Sequence, residues 1–246
     1  MKLHNTIALL FGAFLLSLPG RSVAQEEASV HRQEEAPAVR TPRFSVGIHG
    51  GTNRNYHSVD MSYMTDYSYS PYAPGRSFGL QVGYSPWPWL TLRVDGVRLD
   101  KNYYRDHVTD HGDSFPDTTS NQYLNVPLVV MFNVGRVVRL HAFGGVYGGY
   151  WLSSHRKGRT LGVGGPQEYD VEVDLGSEES SRKFNRRDAG LVYGVGLSGV
   201  VARRIEVGAE LRWYYGVLDI QKEYMANLNP RYNTTFVMQA GVNYWF

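Results

Sequence analysis

Five side chains able to bind a metal ion fall within one short run, Asp106-His107-Val108-Thr109-Asp110-His111-Gly112-Asp113. Imidazole nitrogens and carboxylate oxygens are common ligands of zinc and other divalent ions. His107 and His111 also have the i, i+4 spacing that places two rings on one helix face. The run completes no known ligand motif and has no apolar periodicity to build a scaffold, so it reads as a solvated polar loop and no metal is assigned. Ser153 and His155 are the residue types of a nucleophile and its base, and Asp106 with His107 could activate water. Neither pair comes with a third orienting group or an oxyanion hole, so no catalytic residue is assigned and the chain is not expected to be an enzyme. A phosphate-binding loop, a dinucleotide fingerprint and a paired CxxC are all missing from the sequence, so no cofactor is expected.

A different set of charges stands out by its phase. Arg93, Asp95, Glu206, Glu210 and Arg212 all occupy alternate positions in segments whose other positions are apolar. Period two is the signature of a strand with two unlike faces. Counting back from the terminus, Phe246, Tyr244, Val242, Ala240, Met238 and Phe236 alternate with Trp245, Asn243, Gly241 and Gln239. The same pattern runs from Ile205 to Val217, from Phe78 to Ser85 and from Leu90 to Asp95, with the charges confined to the more polar set. Residues 43–52, 122–134, 138–151 and 188–201 complete eight predicted strands, with the alternation weakest in the Gly-rich 138–151.

The connections alternate in length. Short turns fall at 85–89, 135–137 and 202–204, and long loops at 53–76, 101–121, 152–187 and 219–230. This sorting is that of an outer-membrane barrel, with tight turns in the periplasm and long loops outside the cell. The predicted fold class is therefore all-β, an eight-stranded antiparallel transmembrane β-barrel of up-and-down topology. Closure follows from the solvent, because hydrocarbon offers no partner to a bare backbone N–H or C=O. Eight strands enclose a lumen that side chains can fill, so Arg93, Asp95, Glu206, Glu210 and Arg212 are expected to meet inside as a paired, plugging network. Tyr84, Trp87, Trp89, Trp213, Tyr214, Tyr215, Tyr244, Trp245 and Phe246 lie near strand ends and could supply aromatic girdles.

The amino terminus supplies the address. Lys2 and His4 precede an apolar run from Ile7 to Leu18, and Ser22-Val23-Ala24 offers small residues for cleavage, the pattern of a secretory signal. The expected organisation is a signal peptide at 1–24, a flexible Glu- and Pro-bearing periplasmic segment at 25–42, and an outer-membrane barrel domain at 43–246. The chain has no Cys, which excludes disulfides and a lipidated cysteine. Its 18 Tyr and 27 Gly favour strands and turns, and its negative mean hydropathy excludes a polytopic helical membrane protein. A net charge of +2 gives no reason to expect nucleic acid as a partner.

The outer loops carry the remaining signals. Loop 152–187 begins with His155, Arg156, Lys157 and Arg159 and continues with Glu168, Asp170, Glu172, Asp174, Glu178 and Glu179. A loop folded back so that its halves satisfy each other, or charge kept simply for solubility, is together favoured over a partner surface. Tyr56, Tyr63, Tyr67, Tyr69 and Tyr72 make the first loop rich enough in Tyr to contact a protein or glycan.

The run Tyr123-Leu124-Asn125-Val126-Pro127-Leu128, followed by an apolar strand, resembles the fourth-strand motif of the PorT-like outer-membrane β-barrel family of the Bacteroidota. Asp188-Ala189-Gly190 leading to Gly194-Val195-Gly196 resembles that family's sixth strand, and the terminal Phe246 resembles the signal read by barrel-assembly machinery. The similarity spans residues 43 to 246 and departs at Met131-Phe132-Asn133, where the family often has a basic residue. It implies a location in the bacterial outer membrane, with outer-membrane lipid, lipopolysaccharide and the assembly machinery as partners. It implies no specific ligand, although some members are implicated in protein secretion. The function expected is that of a non-enzymatic structural or interaction protein with a filled lumen; a small pore is the alternative and an outer-membrane barrel hydrolase the third reading.

Overall fold

Alternating sequence becomes alternating burial in the computed structural model, which describes residues 43–58, 67–70, 74–108, 114–162, 165–220, 222 and 232–246. The expected signal peptide at 1–24 and the expected flexible segment at 25–42 lie outside the described residues. The described strands belong to the compact unit Arg40–Phe246. In chain order they are β1 (Arg43–Ser58), β2 (Tyr67–Ser70), β3 (Pro74–Trp87), β4 (Leu90–Asp100), β5 (Tyr103–Val108), β6 (Ser114–Gly135), β7 (Val138–Gly162) and β8 (Gly165–Val173). A short helix α1 (Glu178–Lys183) precedes β9 (Arg187–Ala202), β10 (Ile205–Gly216) and β11 (Tyr232–Trp245).

Eight of these strands, β1, β3, β4, β6, β7, β9, β10 and β11, pair antiparallel in a closed ring. The first and last strands close it, with Val46 opposite Tyr244 and Ile48 opposite Val242. The ring is the barrel expected from the sequence. Most of its outward residues are apolar and remain exposed, Leu80 at 60% and Leu140 at 63%. A continuous exposed apolar surface on this scale suits a protein whose solvent there is lipid.

Aromatic side chains gather at the two borders of that surface. Near the short turns, Trp87 stacks on Trp89 at 5.5 Å, Trp89 on Phe132 at 6.2 Å, and Phe44 lies 4.8 Å from Tyr84. Toward the other end, Trp213 stands between Tyr193 at 5.9 Å and Phe236 at 4.8 Å. Such belts mark the two membrane interfaces. Tyr214 and Trp245 depart from the girdle expectation, because strand phase turns both inward and buries them.

The segments predicted as loops are partly strand. β7 is 25 residues long and β6 is 22, whereas about 9–11 residues suffice to cross a bilayer. Their excess continues beyond the ring as a sheet ordered β2-β5-β6-β7-β8. A register shift at Gln122/Tyr123 marks the transition, with Leu152 as the extra residue on β7. It reverses the phase of that strand, so that Trp151 and then Ser154 are buried. In the extension, β7 and β8 form a hairpin in which Arg159 faces Glu168, Lys157 faces Asp170 and His155 faces Glu172. Of the alternatives open for loop 152–187, the 154–173 part takes the folded-back form, as a charged cross-strand ladder.

Glycine is required where backbones meet or reverse. Gly135 has φ 114° at the β6–β7 turn, in the left-handed region that favours Gly. A Cβ on Gly194 would lie 2.3 Å from the Leu211 carbonyl oxygen and 2.5 Å from Phe143 Cζ, while one on Gly96 would meet nothing within 4 Å. Gly194→Val should therefore lower stability by about 1–3 kcal/mol through overpacking. Gly96→Val, in open space on the outward face, should leave it nearly unchanged. Urea unfolding of the refolded protein in lipid vesicles checks both.

Candidate functional site

Inward positions of eight narrow-set strands leave little volume, and the side chains that fill it form layers from the short-turn end to the long-loop end. The first layer joins β7, β10 and β11. Arg139 donates to Glu206, and Trp245 Nε1 donates to the same carboxylate at 2.7 Å. The Arg139 guanidinium also lies 5.6 Å from the Trp245 ring. Nearby, Asn133 donates to Thr91 at 3.1 Å, and the Thr91 and Ser85 hydroxyls share a hydrogen bond of 2.7 Å.

The second layer is the densest in charge. Arg93 grips Glu210 with both terminal nitrogens, at 2.6 and 3.1 Å. Arg212 donates to Asp95 at 2.7 Å, to Glu210 at 2.8 Å and to the Tyr214 hydroxyl at 3.0 Å. Arg93 Nε lies 3.2 Å from Asp95, so two guanidiniums and two carboxylates form a closed cycle. Gln239 donates to Glu210 at 3.0 Å, and His141 Nε2 lies 3.3 Å from it. Both guanidiniums sit 5.2 Å from the Phe143 ring, a cation–π arrangement that adds attraction where water is excluded.

Phe143 also begins an apolar layer, in which Val97, Leu99, Val129, Val192 and Val237 are almost fully buried. Beyond it lies a third polar layer, where Asp188 accepts from Lys101, from the Tyr147 hydroxyl at 3.1 Å and from Asn233 at 3.2 Å. The Lys101 ammonium lies 4.6 Å from the Tyr123 ring. Tyr123 stacks on Trp151 at 5.7 Å, and Leu175 and Phe184 pack against that pair. Across the layers, Arg93, Lys101, Arg139 and Arg212 are matched by Asp95, Asp188, Glu206 and Glu210. A buried charge is tolerable only when so matched and hydrogen-bonded.

Between the first two layers a cavity of about 50 Å³ is lined by His49, His141, Arg139, Glu206, Glu210 and Gln239, among others. Neither ring nitrogen of the buried His49 has a protein partner. The volume suits a small group of water molecules bridging these polar atoms.

The five charges expected to meet are thus all inside, but in two groups: Arg93, Asp95, Glu210 and Arg212 form one, and Glu206 belongs with Arg139. Sequence reading missed Arg139, His141, Lys101 and Asp188. Their signal was strand phase carried further: 139, 141 and 143 continue through the Gly-rich β7, and 93, 95, 97 and 99 lead to Lys101.

Among the described residues the other candidates do not assemble. Asp106 and His107 lie in β5, where the chain rises about 3.3 Å per residue and helical spacing has no meaning. Asp110, His111 and Asp113 lie outside the described residues, and among the described residues no three His, Asp or Glu side chains converge for a metal. His155 pairs with Asp170, half exposed, as part of the hairpin ladder, and no hydrogen bond joins it to Ser153. The backbones of Tyr56, Tyr67 and Tyr69 lie in β1 and β2, while Tyr63 and Tyr72 fall outside the described residues. In α1, capped by the Ser177 hydroxyl, Lys183 holds the exposed Glu179 carboxyl below its ordinary range.

Comparison with known proteins gives one family match: the model described as outer membrane protein beta-barrel domain matches residues 23–222. No curated protein matches the chain. Among solved structures, the chain is similar to OprG of Pseudomonas aeruginosa, at 12% identity and a TM-score of 0.47, covering 84% of this chain and 97% of that one. It is similar to Neisserial surface protein A at 15% identity and a TM-score of 0.42, covering 82% and 96%. It is also similar to the outer membrane protease OmpT of Escherichia coli at 10% identity and a TM-score of 0.41, covering 86% and 99%.

Arg212 tests the interior. Arg212→Leu would strip Asp95 of a partner held at 2.7 Å and leave Glu210 with one guanidinium instead of two. Breaking a buried network this way should cost about 3–5 kcal/mol, read as a lower urea midpoint in vesicles. An unchanged midpoint would mean that the network adds nothing to stability.

Proposed function

We propose, from the premise that this chain belongs to the outer membrane protein beta-barrel domain family and resides in the bacterial outer membrane, that it is a non-conducting, non-enzymatic barrel acting through contact surfaces on its long-loop side. One observation carries this reading: the lumen is crossed by matched charge layers and by an apolar layer whose members Leu99 and Val129 are wholly buried. A solute path would have to break ion pairs and then cross that apolar layer. The stacked Tyr123 and Trp151, covered by Leu175 and Phe184, add a closure toward the long loops.

The contact surface is the sheet extension. On one face of it, Thr118 and Ser120 of β6 adjoin the His155-Lys157-Arg159 row of β7 and the acidic row of β8, around a groove of about 630 Å³. This hydroxyl-rich, zwitterionic surface suits a polar partner, a protein or a glycan, better than an apolar one. Outer-membrane lipid, lipopolysaccharide and the barrel-assembly machinery complete the partners assigned. The finer placement among PorT-like barrels rests on the Tyr123-Leu124-Asn125-Val126-Pro127-Leu128 run, which lies in β6, and on Asp188 to Gly196, which lies in β9.

Refolded protein whose unboiled and boiled forms migrate differently should give no current steps in a planar bilayer. Steady single-channel steps from the same sample would instead establish a hydrated path and a transport role.

A further inference from the structure

The outward face of β1, β3 and β4 changes character abruptly toward the long loops. Below the border it presents Ile48, Phe78, Leu80 and Val94, all exposed and apolar. On each of the three strands the first charged outward residue beyond them is an arginine: Arg54, Arg76 and Arg98, all exposed. Strand register fixes their relation. Arg76 stands opposite Thr52, two residues from Arg54, and Arg98 stands opposite Phe78, two residues from Arg76. Each arginine is therefore the diagonal neighbour of the next, a relation that spaces Cα atoms by roughly 7–8 Å in a sheet. The result is a stepped line of guanidiniums along the rim of the apolar surface. Asp100 borders the line and accepts from the Arg76 backbone N–H at 3.2 Å.

We infer that this line is a binding site for the phosphate groups of a membrane lipid, the phosphorylated glycolipid of the outer leaflet. The inference rests on the outer-membrane reading of the chain and gives its lipid partner a place. In barrels of this architecture the long loops face outward, so the arginines stand at headgroup level of the outer leaflet while the residues beneath them meet acyl chains. A guanidinium binds phosphate through paired N–H donors and keeps its charge at any physiological pH. The position commits the site to a lipid, because only a ligand with acyl chains uses the apolar strip and the cationic line together.

The test uses the full chain in detergent, titrated with bis-phosphorylated lipid A and followed by native mass spectrometry. Replacing all three residues (R54Q, R76Q and R98Q) should weaken binding about 100-fold, at roughly fivefold per basic residue facing an anionic surface. R203Q with R204Q, in the β9–β10 turn at the opposite end, should leave it unchanged. Equal affinity of the triple variant and the unaltered chain would overturn the inference, as would equal binding of dephosphorylated lipid A. Full displacement of the lipid by millimolar inorganic phosphate would also overturn it, by marking a free-ion site. Heat-modifiable migration of each variant confirms that the barrel is intact, and all three arginines are exposed on the outer face, where Gln does not disturb the interior. Failure of the non-conducting reading would show as bilayer current, which the lipid titration does not measure.

Discussion

A backbone amide in hydrocarbon has no partner but another strand, and that constraint organises the rest of the molecule. An unpaired group costs several kcal/mol in lipid, so the sheet can end nowhere within the membrane and β1 must meet β11. Once the ring is closed, every second residue points into a lumen that eight strands make too narrow for bulk water. Inward polar groups must then find one another. Glu210 shows the outcome: its two oxygens receive Arg93, Arg212 and Gln239, donors from β4, β10 and β11. No local segment of chain could gather these groups, so the network forms only after closure.

The interior alternates charged and apolar layers. Salt bridges in a low-dielectric interior gain less than their geometry suggests, because two ions must first be taken out of water. The matched cations and carboxylates offset that cost only by being paired several times over, as Asp188 is by Lys101, Tyr147 and Asn233. Phe143 and its apolar neighbours separate this layer from the Arg93–Glu210 cycle. Each charged group therefore deals with a few partners, and the small cavity beside His49 lies on the short-turn side of the apolar layer.

How much of this was legible in the sequence follows from where the two faces of a strand differ in solvent. Within the membrane one face meets lipid and the other a polar lumen, so Leu92-Arg93-Val94-Asp95 announces its orientation without help. The β7 segment around Gly144-Gly145 and Gly148-Gly149 conceals it, since glycine marks neither face, and Arg139 and His141 were lost with it. Tyr214 and Trp245 show a further limit: aromatic type suggested the interface, while phase placed both inside. Register completed what periodicity could not, since only pairing across strands reveals that Glu206 and Glu210 belong to different groups.

Beyond the ring even the buried face of β6 is polar, made of Asp117, Thr119 and Asn121, and the hydropathy signal vanishes although the strand does not. Thr118, Ser120, His155, Lys157 and Arg159 look like loop residues because neither face needs an apolar side chain. What distinguishes the pairing there is charge order across the ladder, Arg159 against Glu168 and Lys157 with His155 against Asp170. Exposed pairs of this kind contribute little individually and weaken in salt. The extension is therefore held less by its ladder than by being continuous with β6 and β7, whose lower halves are fixed by closure of the ring. A contact surface built this way inherits its rigidity from the membrane-embedded strands, and its chemistry is free to vary without endangering the barrel that carries it.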